Sequence, residues 1–215
     1  MPDAALFPIP GSVAFPGIPY PLHVFEPRYR QMVRHCIDDN LLMGVCHTEK
    51  ILHAGEQPQT REQALNSNQS TYKPRAVFSA GPVKLLKELE DGRLMIAVDT
   101  STRLALVEEK QTLPFGIWRC DELLDEAQDS SAEEALEQSK EKILTRLLAI
   151  THGQTAIQEQ LLSEHWQAMP ASRFSFALAG SIGMDPDLAQ HLLETTDTQY
   201  RLNTLLQLLN EGSSV

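Results

Sequence analysis

The chain has 215 residues, 18 of them Lys or Arg and 29 Asp or Glu, giving a formal net charge of −11; 42% of residues are apolar and 22% charged. That is the composition of a folded protein with one large or two small domains, not of a disordered chain. The charge disfavours nucleic acid and anionic membranes unless the basic residues segregate, and no apolar run approaches the about 20 residues that span a bilayer.

The start, MPDAALFPIPG, lacks the basic and apolar blocks of a secretory leader. Cys36, Cys46 and Cys120 are odd in number and form no Cys-x-x-Cys pair. A reduced, cytoplasmic protein with buried thiols is expected.

Leu6, Phe7 and Ile9 alternate with Pro8 and Pro10. Proline fixes φ and lacks an N–H donor, which predicts a short strand away from the middle of a sheet. Pro16-Gly17 within "FPGIP" predicts a type II turn, and "YPLHVFE" a second short strand. A helix near 27–39 follows, with Pro27 at its first position and Glu26 at its positive end. Met32, Val33, Cys36 and Ile37 mark its buried face. "LLMGVCH" (41–47) predicts a buried strand, and the polar stretch near 49–73 a long loop.

The hairpin signal is strongest at "AVFSAGPVKLLKELEDGRLMIAVDTSTRLALVEE", where Asp91-Gly92 joins two β-rich runs. Gly81-Pro82 predicts a bend in its first arm. "FGIWRCDELL" (115–124) adds a strand bearing Ile117, Trp118 and Cys120. Acidic residues then crowd 121–141, with Lys140 the only basic residue there. Ser130 and Ser131, each with Glu three residues on, carry the capping-box pattern. Five helical segments are expected from there. They start near Ser130, run through Ile157–Trp166 to a stop at Pro170, continue in "SRFSFALAGSIG" and "DPDLAQHLLE", and end in "DTQYRLNTLLQLLNEG". The last turns Tyr200, Leu205, Leu206 and Leu209 inward, with Gly212 just beyond. The expected organisation is α+β: a β domain over 1–125 and a helical-bundle domain over 126–215.

Catalytic signals are weak. The seven histidines make no His-Glu-x-x-His and no zinc-finger spacing, so no metal is expected. "AGSIG" around Ser181 lacks the first glycine of a nucleophile elbow and lies between helices. No Gly-Lys dipeptide occurs, which excludes a Walker A loop within these residues. Glu26-Pro27-Arg28-Tyr29-Arg30 has no partnered nucleophile or histidine and is expected to be a structural joint.

These residues also resemble a known family. "LFPIPGSVAFPGIPYPLHVFEPRYRQMV" is similar to the opening of the Lon protease N-terminal domain. "LEDGRLMIAV" resembles that family's Asp-Gly-Arg hairpin (Asp91, Gly92, Arg93). Gln190, Leu192, Leu193, Glu194, Arg201 and Leu202 stand in the places of its C-terminal helical motif. The resemblance implies a PUA-like six-stranded pseudo-β-barrel followed by a helical bundle. It implies a free-standing bacterial member without the ATPase and peptidase domains. Pro16, Gly17, Glu26, Pro27, Arg28, Tyr29, Asp91, Gly92 and Arg93 become structural motif residues.

The function expected is non-catalytic binding of unfolded polypeptide or a partner protein, without cofactor and in connection with proteolysis or protein quality control. Phe15, Ile18, Tyr20, Ile117 and Trp118 are candidate contacts, although large apolar residues mostly pack inside. An RNA- or nucleotide-binding PUA-like protein is the alternative; it needs a clustered basic face, for which Arg28, Arg30, Arg34, Lys73 and Arg75 are the candidates.

Overall fold

A computed structural model describes residues 1–54, 60, 68 and 70–211. Its strands are β1 (Asp3–Pro8), β2 (Tyr20–Val24), β3 (Leu42–Cys46), β4 (Thr48–His53), β5 (Thr71–Pro74), β6 (Val77–Gly81), β7 (Val83–Glu88), β8 (Leu94–Val98), β9 (Thr102–Gln111) and β10 (Ile117–Glu122). Its helices are α1 (Pro27–Asp38), α2 (Ser130–Ile150), α3 (Thr155–Leu162), α4 (Glu164–Gln167), α5 (Ala171–Ser181), α6 (Pro186–Glu194) and α7 (Thr198–Glu211). The chain divides into one compact unit of 1–123 with 184–194 and a second of 124–183 with 195–215.

In the first unit, β1, β10, β9, β6 and β3 close into a barrel, while β2, β8 and β7 form a separate sheet and β4 pairs with β5. The closed barrel thus has five strands, one fewer than the resemblance implies. The cause lies in the long hairpin of residues 77–111. Its barrel half pairs β6 with β9, from Val77↔Ala105 to Ala80↔Thr102. Its outer half pairs β7 with β8, starting at Val83↔Val98. Between them the hairpin turns a corner at Gly81-Pro82. A side chain at Gly81 would put its Cβ 1.5 Å from the Asp99 carbonyl oxygen, so only glycine lets the two arms cross this closely.

Each sheet buries its own apolar set. Inside the barrel, Ala4, Leu6, Cys46, Phe78, Ala80, Leu104 and Cys120 pack together. Outside it, the alternate residues Ala5, Met43 and Val45 meet Tyr29, Met32, Val33 and Cys36 of α1 and Val24, Leu94, Ile96 and Val98 of the second sheet. This is the period-2 alternation of strands with both faces covered.

The expectation that the first strand avoids the sheet interior is corrected. β1 lies between β10, which it pairs antiparallel from Asp3↔Arg119 to Ala5↔Ile117, and β3, which it pairs in parallel as far as Pro8↔Cys46. The prolines fit because of register. Leu6 N–H donates to Gly116 O on the β10 side, and Ile9 N–H donates to Cys46 O on the β3 side. Even-numbered positions therefore face β10, and Pro8 and Pro10 fall past its end, where no donor is needed.

The expected loop near 49–73 is also corrected at its ends, which pair as β4 and β5 from Thr48↔Pro74 to His53↔Thr71. The ribbon carries exposed Ile51 and Leu52 and little burial, so no apolar alternation announced it. The rest of the predicted loop, residues 55–59, 61–67 and 69, lies outside the described residues. In α1 Ile37 is exposed rather than buried. Helix α6 belongs to this unit: Gln190 Nε2 donates to Val77 O at 2.9 Å, Arg103 Nη1 donates to Leu193 O at 2.9 Å, and Arg75 pairs with Asp187 at 2.6 Å.

The second unit holds α2, α3, α4, α5 and α7. The cap of α2 is Asp129, whose carboxylate accepts from Ala132 N and Ser131 Oγ, not a capping box at Ser130 or Ser131. Those donors, the Ala132 N–H foremost, lower its pKa. The expected second helix breaks at Ser163, whose φ of −63° and ψ of 150° are extended, giving α3 and α4. Trp166 meets Phe174 edge-to-face at 5.6 Å. Lys140 is buried and donates to the carbonyls of Gln167 and Met169 at 2.9 and 2.6 Å, so it satisfies the end of α4. Along α7 the inward residues are Thr198, Arg201, Leu202, Leu205 and Leu209; Tyr200 is exposed, against expectation. Gly212 lies outside the described residues.

Candidate functional site

The charged opening motif folds into a joint. Pro27 starts α1, and the Glu26 and Arg28 side chains, each about one-tenth exposed, pair at 2.9 Å. Arg28 also donates to Ser70 O at 2.9 Å and Thr71 Oγ1 at 3.1 Å, beside β5. Its guanidinium lies 4.6 Å from the centre of the Tyr29 ring, which stacks on Phe7 of β1 at 4.3 Å. Burial, opposed by Arg28, pushes the Tyr29 hydroxyl up to about 12, so it stays protonated. Arg30 Nη1 reaches Gly92 O at 3.5 Å, in the turn of the second sheet. One motif thus ties α1 to the ribbon, the barrel and the hairpin tip.

The other motif residues have similar roles. Gly92 has a φ of +81°, and Asp91 accepts from the Arg93 backbone N–H and from Arg93 Nε, which closes the β7–β8 turn. Gly17, at φ +85°, donates its N–H to Thr100 O at 2.7 Å. The buried Thr100 hydroxyl reaches the carbonyls of Phe15 and Ile18, and Ser79 Oγ donates to Ala14 O at 2.6 Å. The Pro16-Gly17 turn is therefore pinned to the hairpin corner.

The five candidate contact residues fall in different places. Phe15 is 4% exposed. Ile18 is half-buried in the pinned turn. Tyr20 and Ile117 are half-buried and border the core outside the barrel, whereas Trp118 packs against the core inside it. Ile117 and Trp118 are neighbours in β10 but point to opposite faces, as their partners Ala5 and Ala4 do. The structure brings Tyr20 and Ile117 to one core and leaves Trp118 apart.

Exposed apolar side chains occur where the sequence reading did not place them. Leu85 and Leu86 of β7 are 44% and 56% exposed, and Met95 of β8 is 38% exposed. The β7–β8 register slips between Leu85 and Lys87, so a bulge at Leu86 breaks the alternation expected of a hairpin arm. The signal was the run Lys84-Leu85-Leu86-Lys87, in which two adjacent leucines cannot both face one core.

Chemistry of other kinds finds little support among the described residues. They contain no group of three or more metal-ligating side chains. The Ser181 hydroxyl donates to Ala177 O within its own helix. Cys36, Cys46 and Cys120 are free and buried. Desolvation raises the Cys36 and Cys120 thiols to about 12 and pushes Cys46 well above its ordinary value. Such thiols are poor nucleophiles. The basic residues that could form an anionic-ligand face are engaged elsewhere: Arg28 with Glu26, Arg34 with Glu88, Lys73 with Glu49 and Arg75 with Asp187.

In the second unit the main polar centre is Arg201. It is 1% exposed and forms a bidentate pair with Asp125 at 2.8 and 2.6 Å. Its remaining donors reach Thr195 O, Ser175 Oγ and Thr198 Oγ1, and its guanidinium lies 4.0 Å from the Phe176 ring centre. A buried guanidinium with every edge satisfied is an anchor, not a ligand site. Arg201 was named in the motif, but its burial was not foreseen, because an arginine on a helix reads as solvated.

A closed five-stranded barrel together with seven described helices, whose charged motifs fasten their own elements together, defines an α+β architecture. The model of the ATP-dependent protease La (LON) substrate-binding domain matches residues 3–211, and this chain belongs to that family. Two solved structures share the fold. The crystal structure of a Lon N-terminal domain protein from Xanthomonas campestris matches with 19% identity and a TM-score of 0.61, over 96% of this chain and 98% of that one. The N-terminal domain of a Mycobacterium avium complex Lon protease matches with 10% identity and a TM-score of 0.68, over 97% and 98%. No helix among the described residues is long and apolar enough to cross a membrane.

Proposed function

We propose that this chain is a non-catalytic, cytoplasmic module that holds unfolded polypeptide segments or a partner protein, in connection with proteolysis or protein quality control. The observation that carries the reading is the match, over nearly the whole chain, to a family described as a substrate-binding domain. Two features support it. The charged motif residues are engaged in internal pairs rather than offered to a small ligand. Apolar side chains, among them Leu85, Leu86 and Met95, lie open on the first unit. Phe15, Ile18, Tyr20, Ile117 and Trp118 remain proposed contacts. Paired Arg28, Arg34, Lys73 and Arg75, together with the charge of −11, weigh against the nucleic-acid alternative.

Binding of fluorescein-labelled casein, followed by anisotropy, tests this reading. The expected affinity is micromolar, about −8 kcal/mol. No binding by casein or by any other unfolded chain at about 100 µM, two decades above that, ends it.

A further inference from the structure

From the free edge of the second sheet we infer that β7 takes up an extended polypeptide whose apolar centre is flanked by acidic side chains, which adds as a strand beside Lys84–Lys87. This rests on the polypeptide-binding reading above and gives it a place and a charge preference. Three observations converge on the edge. The sheet order is β2-β8-β7, so one side of β7 carries the ladder to β8 and the other meets no strand among the described residues. A row of backbone donors and acceptors there is a template for another chain. On this strand Leu85 and Leu86 are 44% and 56% exposed, and the register slips between Leu85 and Lys87.

The third observation is charge, and it selects the occupant. Lys84 and Lys87 are exposed and have no ion-pair partner among the described residues, in a chain of net charge −11. By contrast Arg34 and Glu88, next to them, are paired at 2.7 Å. A second copy of the chain, brought up to pair β7 with β7, sets lysine against lysine and meets the repulsion of two acidic molecules. Edge lysines therefore suppress self-pairing while attracting a carboxylate-flanked segment. The apolar centre of that segment finds Leu85 and Leu86, and its main chain finds the open ladder.

The test uses the full chain and two ten-residue peptides, each with four central valines, one flanked by glutamates and the other by lysines. The glutamate peptide is expected to bind and to shift the amide resonances of residues 84–88. The lysine peptide is expected to bind about tenfold more weakly, as two favourable cross-strand charge pairs become unfavourable. The double substitution Lys84→Glu and Lys87→Glu should invert the preference while leaving the thermal melt unchanged, and N-methylation of alternate valine amides should abolish binding. Equal binding of the two peptides, indifference to the double substitution, or undiminished binding of the N-methylated peptide overturns the inference. So does self-association that is lost on Leu85→Ser and Leu86→Ser, which makes the occupant a second copy. If casein binds and the glutamate peptide does not, the edge assignment fails and the proposed function stands. If the peptide binds and casein does not, the edge stands and general capture of unfolded chains fails. If neither binds, both fail.

Discussion

Asp125→Ala is expected to be among the most damaging single changes in the second unit. It removes two charge-assisted hydrogen bonds, of 2.8 and 2.6 Å, from a guanidinium that is 1% exposed. Such bonds are worth about 1.5–3 kcal/mol each, and stranding one member of a buried pair costs about 3–5 kcal/mol. The Asp125 side chain is 21% exposed, so water can approach the vacated place and the lower end, about 3 kcal/mol, applies. Arg201→Met removes the charge instead and keeps most of the volume. Asp125 then turns to solvent, and the main losses are the contacts to Thr195 O, Ser175 and Phe176. Its cost should be about 1–2 kcal/mol, and the double variant should cost no more than Arg201→Met alone. Urea unfolding in a Trp118→Phe background reads this unit through Trp166, which is buried in it. If Arg201→Met costs as much as Asp125→Ala, the arginine matters through packing and the ion-pair account is wrong.

Other expectations follow from the first unit. Gly81→Ala should cost more than about 3 kcal/mol, because the new methyl meets the Asp99 backbone and not a movable side chain; a melting point within 3 °C of the parent, about 1 kcal/mol for a chain of this size, refutes the close crossing. Cys36 and Cys120, both raised to about 12, should resist a thiol reagent at pH 8 in the folded protein and react at once in guanidinium. Below about 9 the folded and unfolded states both keep these protons. Between about 9 and about 12 only the unfolded chain releases them, so stability must fall as pH rises through that window; a flat urea midpoint across it contradicts the assignment. Arg28→Ala should speed hydrogen exchange at the β5 amides far more than at β6, since it frees Ser70 and Thr71 while the barrel ladder keeps its partners; equal acceleration in both strands speaks against a local joint.

Much of the fold was legible where a local rule had a single outcome. Asp91-Gly92 fixed the hairpin tip, Pro27 fixed the start of α1, and the β-then-helix order gave the α+β class. Legibility ended where the outcome depended on distant partners. Pro8 and Pro10 argued against an interior strand, yet β1 is interior because β10 stops at Ile117 before the prolines begin. The paired ends of the stretch near 49–73 were invisible because a ribbon exposed on both faces has no apolar period. Tyr200 counts as inward by hydrophobicity alone and is exposed, while the burial of Arg201 depends on a carboxylate 76 positions away that no local pattern announces. Among the candidate contacts Phe15 is buried and Ile18, Tyr20, Ile117 and Trp118 are half-buried, while the open leucines of β7 lie at a register slip.

The pairing of β1 with β10 has a consequence for biosynthesis. Asp3 meets Arg119 across the barrel seam, so during synthesis β1 waits for β10, the last strand of its barrel, to emerge. At about 5–20 residues per second that delay lasts roughly 6–23 s. Through it, β3 can pair with one edge of β1 while the edge meant for β10 stays open in a crowded cell. The prolines that cap the strand cannot donate to a growing stack of foreign chains, so the same residues that end β1 in the finished molecule guard it against aggregation while it is incomplete.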